Sequence, residues 1–434
     1  MKGRSALRAL VVGVVGAVVL TACGPGTGST SGGKHLTVLG TWGSDEQKSF
    51  LAMVKPWEDK TGNKIDYTGS RDINQLLVTR VQAGNPPDLA GLPGPGFMAE
   101  FARKGTLKPL DSAVDTTQMK DQYDQSWISL GSVDGKLYGI FIKAALKSQI
   151  WYNPKAVSSA GISLSSSAAP KTWDDLTAIT SRIAAAGKTP WCIGLESGSA
   201  TGWPGADWIQ DIYMRQAGPQ MYEQWAAMKL PWTDPTIRTA FQTWGKIVND
   251  PKQTYKGKDY VLATKFQTAF DPMFKNPPGC YLHHQASFIT SFFQADFPDT
   301  KPVDDFNFFG FPDINPQYSG PQQVAGDLFG MFKDSPEARD FIKYLTTAEA
   351  QTIWVKRGGA VSPNKKVDLS AYPDPLSKQA GQILTAAKPA EFSADDLMTG
   401  AMSAAFFKGI VDYITNPSQL DQVLNTLEKT RTGG

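Results

Sequence analysis

Between residues 34 and 140, short apolar runs alternate with stretches in which apolar residues recur at helical spacing. Asn85-Pro86-Pro87 interrupts the second of these stretches, and Asp134-Gly135 has the composition of a tight hairpin turn. The predicted elements are strands at 36–39, 65–67 and 88–90, helices at about 44–60 and 72–83, and a hairpin of 132–133 with 136–140. This alternation predicts an α/β layer with a parallel sheet.

The same alternation returns after Ile150-Trp151-Tyr152-Asn153-Pro154, which indicates a second α/β unit. Ser335-Pro336-Glu337 supplies a capping residue and a proline at the first helical position. The elements predicted here are helices at about 173–186, from 204 onward, 218–229, 235–249, 259–270 and 336–345, and strands at 191–195 and 306–312. Roughly the final hundred residues are predicted to be helical.

The composition is that of a folded chain with two domains or one bilobal body. Of the 434 residues, 41% are hydrophobic and 19% are charged, which excludes disordered and fibrous classes. The 43 basic and 41 acidic residues give a formal net charge of +2, so no nucleic-acid partner is expected. Twelve tryptophans are many for a large, half-polar residue, which suggests a role for some of them beyond packing.

The first residues have the order of an export signal. Basic residues at positions 2, 4 and 8 precede an apolar stretch over 9–20, and no later apolar run is long enough to cross a bilayer. The following Leu20-Thr21-Ala22-Cys23 resembles the lipobox of bacterial lipoproteins. It implies a signal peptide over 1–22, a lipid on Cys23, and a tether over 23–33 that holds the chain to the outer face of the cytoplasmic membrane. The alternative is an ordinary secretory leader with an incidental cysteine.

The two remaining cysteines, Cys192 and Cys280, lie in strand-like apolar contexts. In an exported protein, two leftover thiols are more often paired than free, so we predict a disulfide between them. Two buried thiols are the alternative.

Polar and aromatic residues lie at each of the first three predicted strands. They are Trp42, Asp45 and Glu46 after the first strand, Arg71 and Asp72 after the second, and Asp88 at the third. Open α/β sheets bind ligands at the carboxyl ends of parallel strands, which makes these residues candidates for ligand binding. Trp42 lies in a Gly-Thr-Trp-Gly turn, where few core partners are expected. Asp45, Glu46 and Asp72 could equally stabilise helix N-termini, and Asp88 could be a buried structural carboxylate.

Several motifs occur in an order typical of one family. They are Thr37-Val38-Leu39-Gly40-Thr41-Trp42, Pro86-Pro87-Asp88-Leu89, the segments 134–140 and 151–154, Gly202-Trp203-Pro204-Gly205-Ala206-Asp207-Trp208, and the segment 357–364. Together they resemble the extracellular solute-binding proteins of sugar ABC transporters, the family of maltose-binding proteins, and most of all its α-glucoside-binding branch. The resemblance implies a periplasmic-binding-protein-like α/β fold, with two lobes joined by a multi-segment hinge around a ligand cleft. We assign 34–150 plus 313–346 to the N-terminal lobe and 151–305 plus 350–434 to the C-terminal lobe.

The resemblance also implies a sugar-binding set in that cleft. Beyond the strand-end residues, it adds Trp203, Asp207, Trp208, Trp232, Gln285, Phe288, Gly326, Asp327, Arg357 and Gly358. Trp42, Trp203 and Trp232 would stack on sugar faces, and Arg71, Gln285 and Arg357 would donate hydrogen bonds. Six carboxylates would accept hydrogen bonds from the sugar hydroxyls: Asp45, Glu46, Asp72, Asp88, Asp207 and Asp327. Arg357 could instead be a cation at a helix C-terminus before a glycine.

The expected function is capture of a neutral, α-glucosidic di- or oligosaccharide and its delivery to ABC permease subunits in the membrane, by a monomer without cofactor or metal. The three histidines, His35, His283 and His284, form no zinc motif, and no nucleophile-elbow motif occurs. A secreted glycoside hydrolase is the enzymatic alternative, since aromatics and carboxylates also line such sites. A membrane-anchored interaction protein is a third possibility.

Overall fold

The computed structural model describes residues 33–164, 168–386 and 390–433. The predicted signal peptide, Cys23 and the tether up to residue 32 lie outside these residues. The described residues form eleven strands: β1 (His35–Gly40), β2 (Lys64–Gly69), β3 (Leu89–Leu92), β4 (Ser132–Val133), β5 (Lys136–Leu137), β6 (Gly139–Leu146), β7 (Gln149–Tyr152), β8 (Leu282–His284), β9 (Asn307–Gly310), β10 (Gln322–Met331) and β11 (Ala390–Phe392).

The same residues form eighteen α-helices, joined in places by short 3₁₀ turns. The helices are α1 (Ser44–Thr61), α2 (Ile73–Gln82), α3 (Pro95–Arg103), α4 (Thr116–Met119), α5 (Gln125–Leu130), α6 (Pro154–Ser159), α7 (Trp173–Ala185), α8 (Trp203–Ala217), α9 (Pro219–Ala226), α10 (Pro235–Val248), α11 (Gly257–Ala263), α12 (Thr290–Asp296), α13 (Pro336–Leu345), α14 (Ala348–Arg357), α15 (Pro375–Ala386), α16 (Ala394–Leu397), α17 (Gly400–Thr415) and α18 (Leu420–Thr432).

The larger sheet is mixed. Strand β1 pairs in parallel with β2 and with β3, which confirms the parallel layer predicted for the start of the chain. Strand β10 then adds antiparallel to β3 and to β6, and β11 pairs with the start of β10. A strand from late in the chain therefore completes the sheet of the first lobe. The carboxyl ends of β1 and β2 and the middle of β10 lie around the site described below.

The second sheet corrects the expectation of a repeated parallel unit. Strands β8, β7 and β9 form an antiparallel sheet, with β7 in the centre. The strand predicted at 191–195 is reduced to two isolated bridges at Trp191, to Thr254 and to Leu282. The cause is that its backbone partners diverge: Cys192 N donates to Leu282 O at 2.8 Å, whereas Leu195 N donates to Val261 O at 2.9 Å, at α11.

Two helix predictions also need correction. The sequence offers Ser44 as a capping residue at the start of the helix predicted at about 44–60, but Gly43 is the N-cap residue of α1, and Ser44 has a φ of 50°. The helix predicted over 259–270 ends at Ala263, because the chain beyond it pairs with Glu196: Glu196 N donates to Thr264 O and Phe266 N donates to Glu196 O. The predicted C-terminal helices are present, with the short strand β11 among them.

The hydrophobic core divides into clusters that disagree with one predicted lobe boundary. Trp354, Val361 and Tyr372 pack with the aromatic and aliphatic residues of the larger sheet. Residues of α17 and α18 pack instead with α8, α9 and α10. We therefore propose that the first lobe extends through α15 and β11, and that the second lobe resumes at α16 rather than at residue 350.

Cys192 and Cys280 are joined by a disulfide, with 5.4 Å between their Cα atoms, as predicted. Both residues are buried, and the bridge ties the segment after Pro190 to the chain entering β8. Within the described residues, no helix has the length and apolar character that crossing a membrane requires.

Glu391 on β11 is a buried carboxylate, and burial together with the charge of Glu223 raises its pKa from 4.5 to about 7. A folded-state pKa above the unfolded value destabilises the fold as pH rises from about 4.5 through 7. We expect Glu391→Gln to increase the free energy of unfolding by about 1–3 kcal/mol at pH 8 and to leave it unchanged at pH 4. Urea denaturation at the two pH values measures this difference.

Glu349→Gln is the matched control, because Glu349 is an exposed glutamate at the start of α14. It should change the stability little at either pH. An equal effect of Glu391→Gln at pH 4 and pH 8 would show that ionisation of Glu391 is not the cause.

Candidate functional site

A cavity of about 640 Å³ opens between the larger sheet and the helices of the second lobe. Its first-lobe wall comes from the ends of β1 and β2 and from β6 and β10. Its second-lobe wall comes from the 3₁₀ turn Gly198–Ala200, the start of α8, and the α16–α17 segment. The volume lies within the range of about 300–1,000 Å³ that is typical of small-molecule sites. We therefore treat this cavity as the candidate ligand site.

Glu46, in the first turn of α1, is the centre of an ion-pair network on the cavity wall. Its Oε2 accepts from Arg71 Nη2 at 2.6 Å, and its Oε1 accepts from Lys143 Nζ at 2.5 Å. Burial by itself would raise the pKa of Glu46, but the charges of Lys143 and Arg71 lower it to about 2. Glu46 is therefore ionised at neutral pH and forms ion pairs with two cations that line the cavity.

Asp327 on β10 completes this network. Its Oδ2 lies 3.7 Å from Lys143 Nζ and accepts from Trp42 Nε1 at 3.1 Å. Burial raises the pKa of Asp327, while the charge of Lys143 opposes the rise. The neighbouring Gly326 is needed for close packing, since a Cβ atom there would lie 2.8 Å from the Phe141 ring. Gly326 and Asp327 thus both lie on the wall, as the sequence predicts.

Trp42 corrects the expectation that its turn has few core partners. Its side chain is 0% exposed and packs against the rings of Phe50 and Trp354, at centroid distances of 5.1 and 4.9 Å. Because the indole is enclosed by other rings, its face is not free to stack on a ligand. It borders the cavity and orients Asp327 through Nε1.

An aromatic wall of Trp203, Phe266 and Phe288 faces the charged network. Trp203 contacts Phe266 edge-on at 4.9 Å, and Phe288 lies 6.1 Å from Trp203 between ring centroids. Trp203 and Phe288 are partly exposed, so parts of their rings remain accessible. Gly202 before Trp203 has a φ of 113°, and a Cβ there would lie 2.3 Å from Phe407 O. A glycine therefore allows the turn that presents Trp203.

Cations from the floor of the cavity lie over these rings. Lys147 Nζ lies 5.4 Å from the Trp203 ring, and Lys143 Nζ lies 5.4 Å from the Phe288 ring. Lys147 is held by Asp207 Oδ1 at 2.8 Å. Burial raises the pKa of Asp207 to about 6, although the charge of Lys147 opposes the rise. Asp207 is buried behind the wall, where it positions Lys147, and it does not line the cavity.

Several residues of the predicted set lie away from the cavity. Trp208 and Trp232 are 1% and 0% exposed and belong to the second-lobe core. This corrects their assignment to the sugar-binding set and the expectation that Trp232 stacks on a sugar face. Asp88 accepts from the Thr37 backbone N at 2.7 Å and lies 3.4 Å from Lys333 Nζ, so it is structural, as the alternative proposed. Packing in the core keeps the two tryptophans from the cavity, and the contacts with Thr37 and Lys333 keep Asp88 from it.

The remaining members are engaged locally. Gln285 is buried, and its Oε1 accepts from Ala286 N at 2.8 Å. Arg357, in the last turn of α14, donates to Ser49 Oγ at 3.1 Å, and Gly358 is the residue that ends the helix. Asp45 is paired with Lys48 at 2.7 Å. The structure therefore gives Arg357 and Asp45 the helix-terminal roles that were the alternatives.

Asp72 connects the two sides of the cleft. It is the N-cap residue of α2 but makes no capping bond with its side chain; instead, its Oδ1 accepts from Ser199 N at 2.8 Å. Hydrogen bonding from Ser199 lowers the pKa of Asp72, which keeps the acceptor ionised. Ser199 belongs to the turn before α8, so this bond joins the two lobes at the edge of the cavity.

We expect Asp72→Ala to weaken ligand affinity by about three- to tenfold. The substitution removes the charge-assisted hydrogen bond from Ser199 N, which stabilises the form of the protein in which the two lobes are in contact. Asp72→Asn keeps an acceptor without the charge and should lose less affinity. Calorimetric titration of the wild type, Asp72→Ala and Asp72→Asn with the same sugar measures the three affinities. Equal affinity for wild type and Asp72→Ala would mean that the bond does not contribute to the ligand-bound state.

Sequence reasoning missed several cavity residues. They are Lys143, Lys147, Ser197, Ser199, Phe266, Asp396 and Phe407. A signal was present for two of them, since Lys143 interrupts the otherwise apolar segment Gly139–Leu146 and Lys147 directly follows it. Lysine is seldom buried without a partner, so such a pattern indicates a paired, functional or structural cation. Among the described residues, no group of histidine, cysteine, aspartate and glutamate could hold a metal ion.

Comparisons with known proteins agree with this architecture. The family described as bacterial extracellular solute-binding protein matches residues 42–352. The chain is 39% identical to the osmoprotective compounds-binding protein GgtB of Synechocystis sp. over 96% of this chain and 97% of that protein. It is 37% identical to the alpha-glucosides-binding periplasmic protein AglE of Rhizobium meliloti over 90% of this chain and 85% of that protein. Both relatives are named as binding proteins.

A solved structure extends the comparison to the fold. The bacterial solute receptor AcbH, described as having an exclusive substrate preference for b-D-galactopyranose, superposes with a TM-score of 0.79 at 20% identity. The match covers 93% of this chain and 99% of the receptor. The periplasmic-binding-protein-like fold implied by the sequence motifs is therefore confirmed. With the family match over most of its length, the chain belongs to the bacterial extracellular solute-binding proteins.

Proposed function

We propose that the chain captures a neutral, α-glucosidic di- or oligosaccharide in the cleft and delivers it to the membrane permease of an ABC importer. The single observation that carries the proposal is the composition of the cavity walls: Trp203 and Phe288 face an ion-pair network of Glu46, Arg71, Lys143 and Asp327. A pyranose presents an apolar C–H face and a rim of hydroxyls, which match an aromatic wall and a charged, hydrogen-bonding wall respectively.

The charge balance of the cavity supports a neutral ligand. Glu46 pairs with Arg71 and Lys143, and Lys147 pairs with Asp207. The cations of the central cavity therefore have carboxylate partners, and a ligand carboxylate or phosphate would have to displace them. Hydroxyl groups can instead donate to Glu46 and Asp327 and accept from the cations without breaking the pairs. The name of the relative AglE supports the α-glucosidic assignment.

We also propose that the protein acts without breaking bonds. A glycosidase needs a carboxylic acid whose raised pKa lets it protonate the leaving group. Glu46 has a pKa of about 2 and cannot supply that proton, whereas burial raises the pKa of Asp327 and of Asp396, which line the same cavity. The proposal therefore rests on the relatives GgtB and AglE, which are named as binding proteins. Incubation with α-glucosides should therefore release no glucose, and catalytic release would favour the hydrolase instead.

The location follows from the N-terminal sequence. A lipid on Cys23 would hold the chain on the outer face of the cytoplasmic membrane, where a monomer can reach the permease. An oxidising compartment outside the cytoplasm is also where the bridge between Cys192 and Cys280 would persist.

A thermal-shift screen over glucosides, galactosides and polyols tests the proposal, since a ligand that binds only the folded state raises the unfolding temperature. We expect the largest rise with an α-glucosidic di- or oligosaccharide. No rise with any sugar would exclude the proposed function.

Trp203→Ala tests the aromatic wall itself. Loss of the indole should weaken binding of the best sugar by about 1–3 kcal/mol, because an accessible aromatic face is removed. Trp203→Phe retains a ring and should lose less. Unchanged affinity of Trp203→Ala, measured by calorimetry, would remove Trp203 from the binding set.

A further inference from the structure

One end of the cavity differs in chemistry from the sugar-binding walls. It is lined by Val78 of α2, Phe97 of α3, Met398, and the residues Ala401, Ala404 and Phe407 of α17. We call this set the apolar compartment. It is continuous with the charged network and the aromatic wall, because all three line one cavity of about 640 Å³.

The α17 side of the apolar compartment is a single helical face. Ala401, Ala404 and Phe407 follow one another at intervals of three residues, which places them on one side of the helix. Ala401 and Ala404 are exposed and Phe407 is partly exposed, so this face is not covered by other parts of the described chain. The two alanines leave room in front of the helix.

The two lobes are in direct contact beside the apolar compartment. Gly400 N, at the start of α17, donates to Glu100 Oε1 of α3 at 2.5 Å. A Cβ atom on Gly400 would lie 3.0 Å from the ring of Phe97. A group attached to a sugar in the charged part of the cavity can therefore contact Phe97 and Phe407, which line the same cavity.

Few polar groups here remain available to a ligand. Glu100 is bonded to Gly400 N, and Ser403 Oγ donates to Asp395 O at 2.5 Å and to Thr399 O at 3.0 Å. Asp396 interacts electrostatically with Lys147, Asp207 and Asp327, and so belongs to the charged end. Asn74, Gln75 and Thr79 of α2 and Lys104 at the end of α3 also line the cavity. Thr79 Oγ1 donates to Gln75 O at 2.9 Å, and Lys104 Nζ lies 3.9 Å from Glu100 Oε2, so the side-chain amides of Asn74 and Gln75 are the main groups left for a ligand. The hydroxyls of a second sugar ring against Phe97 and Phe407 would be satisfied only in part by these amides.

We propose that the apolar compartment binds an alkyl or aryl group attached to the sugar, so that the cleft accepts glycosides with an apolar aglycone. This inference rests on the proposed function, because the sugar itself occupies the charged end. Burial of an aryl group against Phe97, Met398 and Phe407 removes apolar surface from water without requiring new hydrogen bonds.

Calorimetry with methyl α-D-glucopyranoside, phenyl α-D-glucopyranoside and maltose tests the inference. We expect the wild-type protein to bind the phenyl glucoside at least tenfold more tightly than the methyl glucoside. Ala404→Asp places a charge in the apolar compartment and should reduce this ratio to about one. Ala185→Asp, at an exposed helical position of α7 outside the cavity, is the matched control and should keep the wild-type ratio.

The outcomes separate the inference from the function on which it rests. Sugar binding without a preference for the phenyl glucoside would overturn the inference and leave the proposed function intact. A preference that persists in Ala404→Asp would also overturn it, because the aryl group would then lie elsewhere. No binding of any of the three probes would contradict the α-glucosidic assignment, and the inference with it.

Discussion

Replacing Lys143 with methionine should lower the free energy of unfolding by about 3–5 kcal/mol at pH 7. Lys143 is 3% exposed, and its Nζ lies 2.5 Å from Glu46 Oε1 and 3.7 Å from Asp327 Oδ2. Its removal leaves the buried carboxylate of Glu46 and the partly exposed carboxylate of Asp327 without this cation, and Arg71 pairs only with Glu46. An uncompensated buried charge is far more destabilising than the loss of an exposed pair.

Lys48→Met is the matched control, because Lys48 belongs to the same helix as Glu46 and pairs with Asp45 at 2.7 Å while 69% of its side chain is exposed. An exposed pair of this kind contributes less than about 1 kcal/mol. Urea denaturation of the two variants and the wild type gives the comparison. Equal stabilities of Lys143→Met and Lys48→Met would show that the network does not stabilise the fold.

The effect of Lys143→Met should depend on pH. The pKa of Glu46 is lowered from 4.5 to about 2, so its ion pairs stabilise the fold fully above about pH 4.5 and lose this effect as pH falls through 2. Loss of Lys143 raises the pKa of Glu46 toward its ordinary value. The difference in stability between the wild type and Lys143→Met should therefore be smaller at pH 3 than at pH 7.

The first-lobe sheet shows which parts of the fold local sequence can predict. Strands β1 and β3 are short, mostly apolar runs, β2 alternates polar and apolar residues, and amphipathic helices separate the three strands. Their parallel pairing follows from this alternation of strands and helices. Strand β10 carries Gly326, Asp327 and Gly330, which obscure the alternation of a strand. Its pairing with β3 and β6 joins parts of the chain that are far apart in sequence, which no local pattern encodes.

The tryptophans show the same limit for the site. Trp203 follows a glycine and precedes Pro204 at the start of α8, and this local context predicts a presented indole, which lies on the cavity wall. Trp42 and Trp232 have similar turn contexts, yet each is enclosed by rings from elsewhere in the chain, such as Trp354 and Phe406. The partners that bury a side chain depend on tertiary packing, so turn composition alone could not separate these cases.

Only some of the charged residues that line the cavity could be predicted from the sequence. Glu46, Arg71 and Asp327 were predicted because they lie at strand ends or match the family motifs. Lys143 and Lys147 were not, since they occur within or directly after β6, in a part of the chain beyond the hairpin predicted to end at residue 140. Their role depends on carboxylates from α1, β10 and α8, which the fold brings to them.

Removing both Cys192 and Cys280 should lower the free energy of unfolding by about 4–5 kcal/mol in the chain-entropy description. The two cysteines are separated by 88 residues, and this long loop contains α8 to α11. Without the bridge, the unfolded chain gains the conformational freedom that the closed loop denies it. Replacement by alanine avoids burying a new polar group, because both positions are buried.

Urea denaturation of the double alanine variant and of the oxidised wild type measures this loss. Cys192→Ala alone is the informative control: it opens the same loop while keeping the other thiol, so its stability should be close to that of the double variant. Neither cysteine lines the cavity. If the bridge acts mainly by constraining the loop in the unfolded chain, both folded variants should therefore bind the ligand with the same affinity as the wild type. If the free energy of unfolding of the double variant lies within about 1 kcal/mol of that of the wild type, the bridge does not reduce the entropy of the unfolded chain by the amount that the loop length predicts.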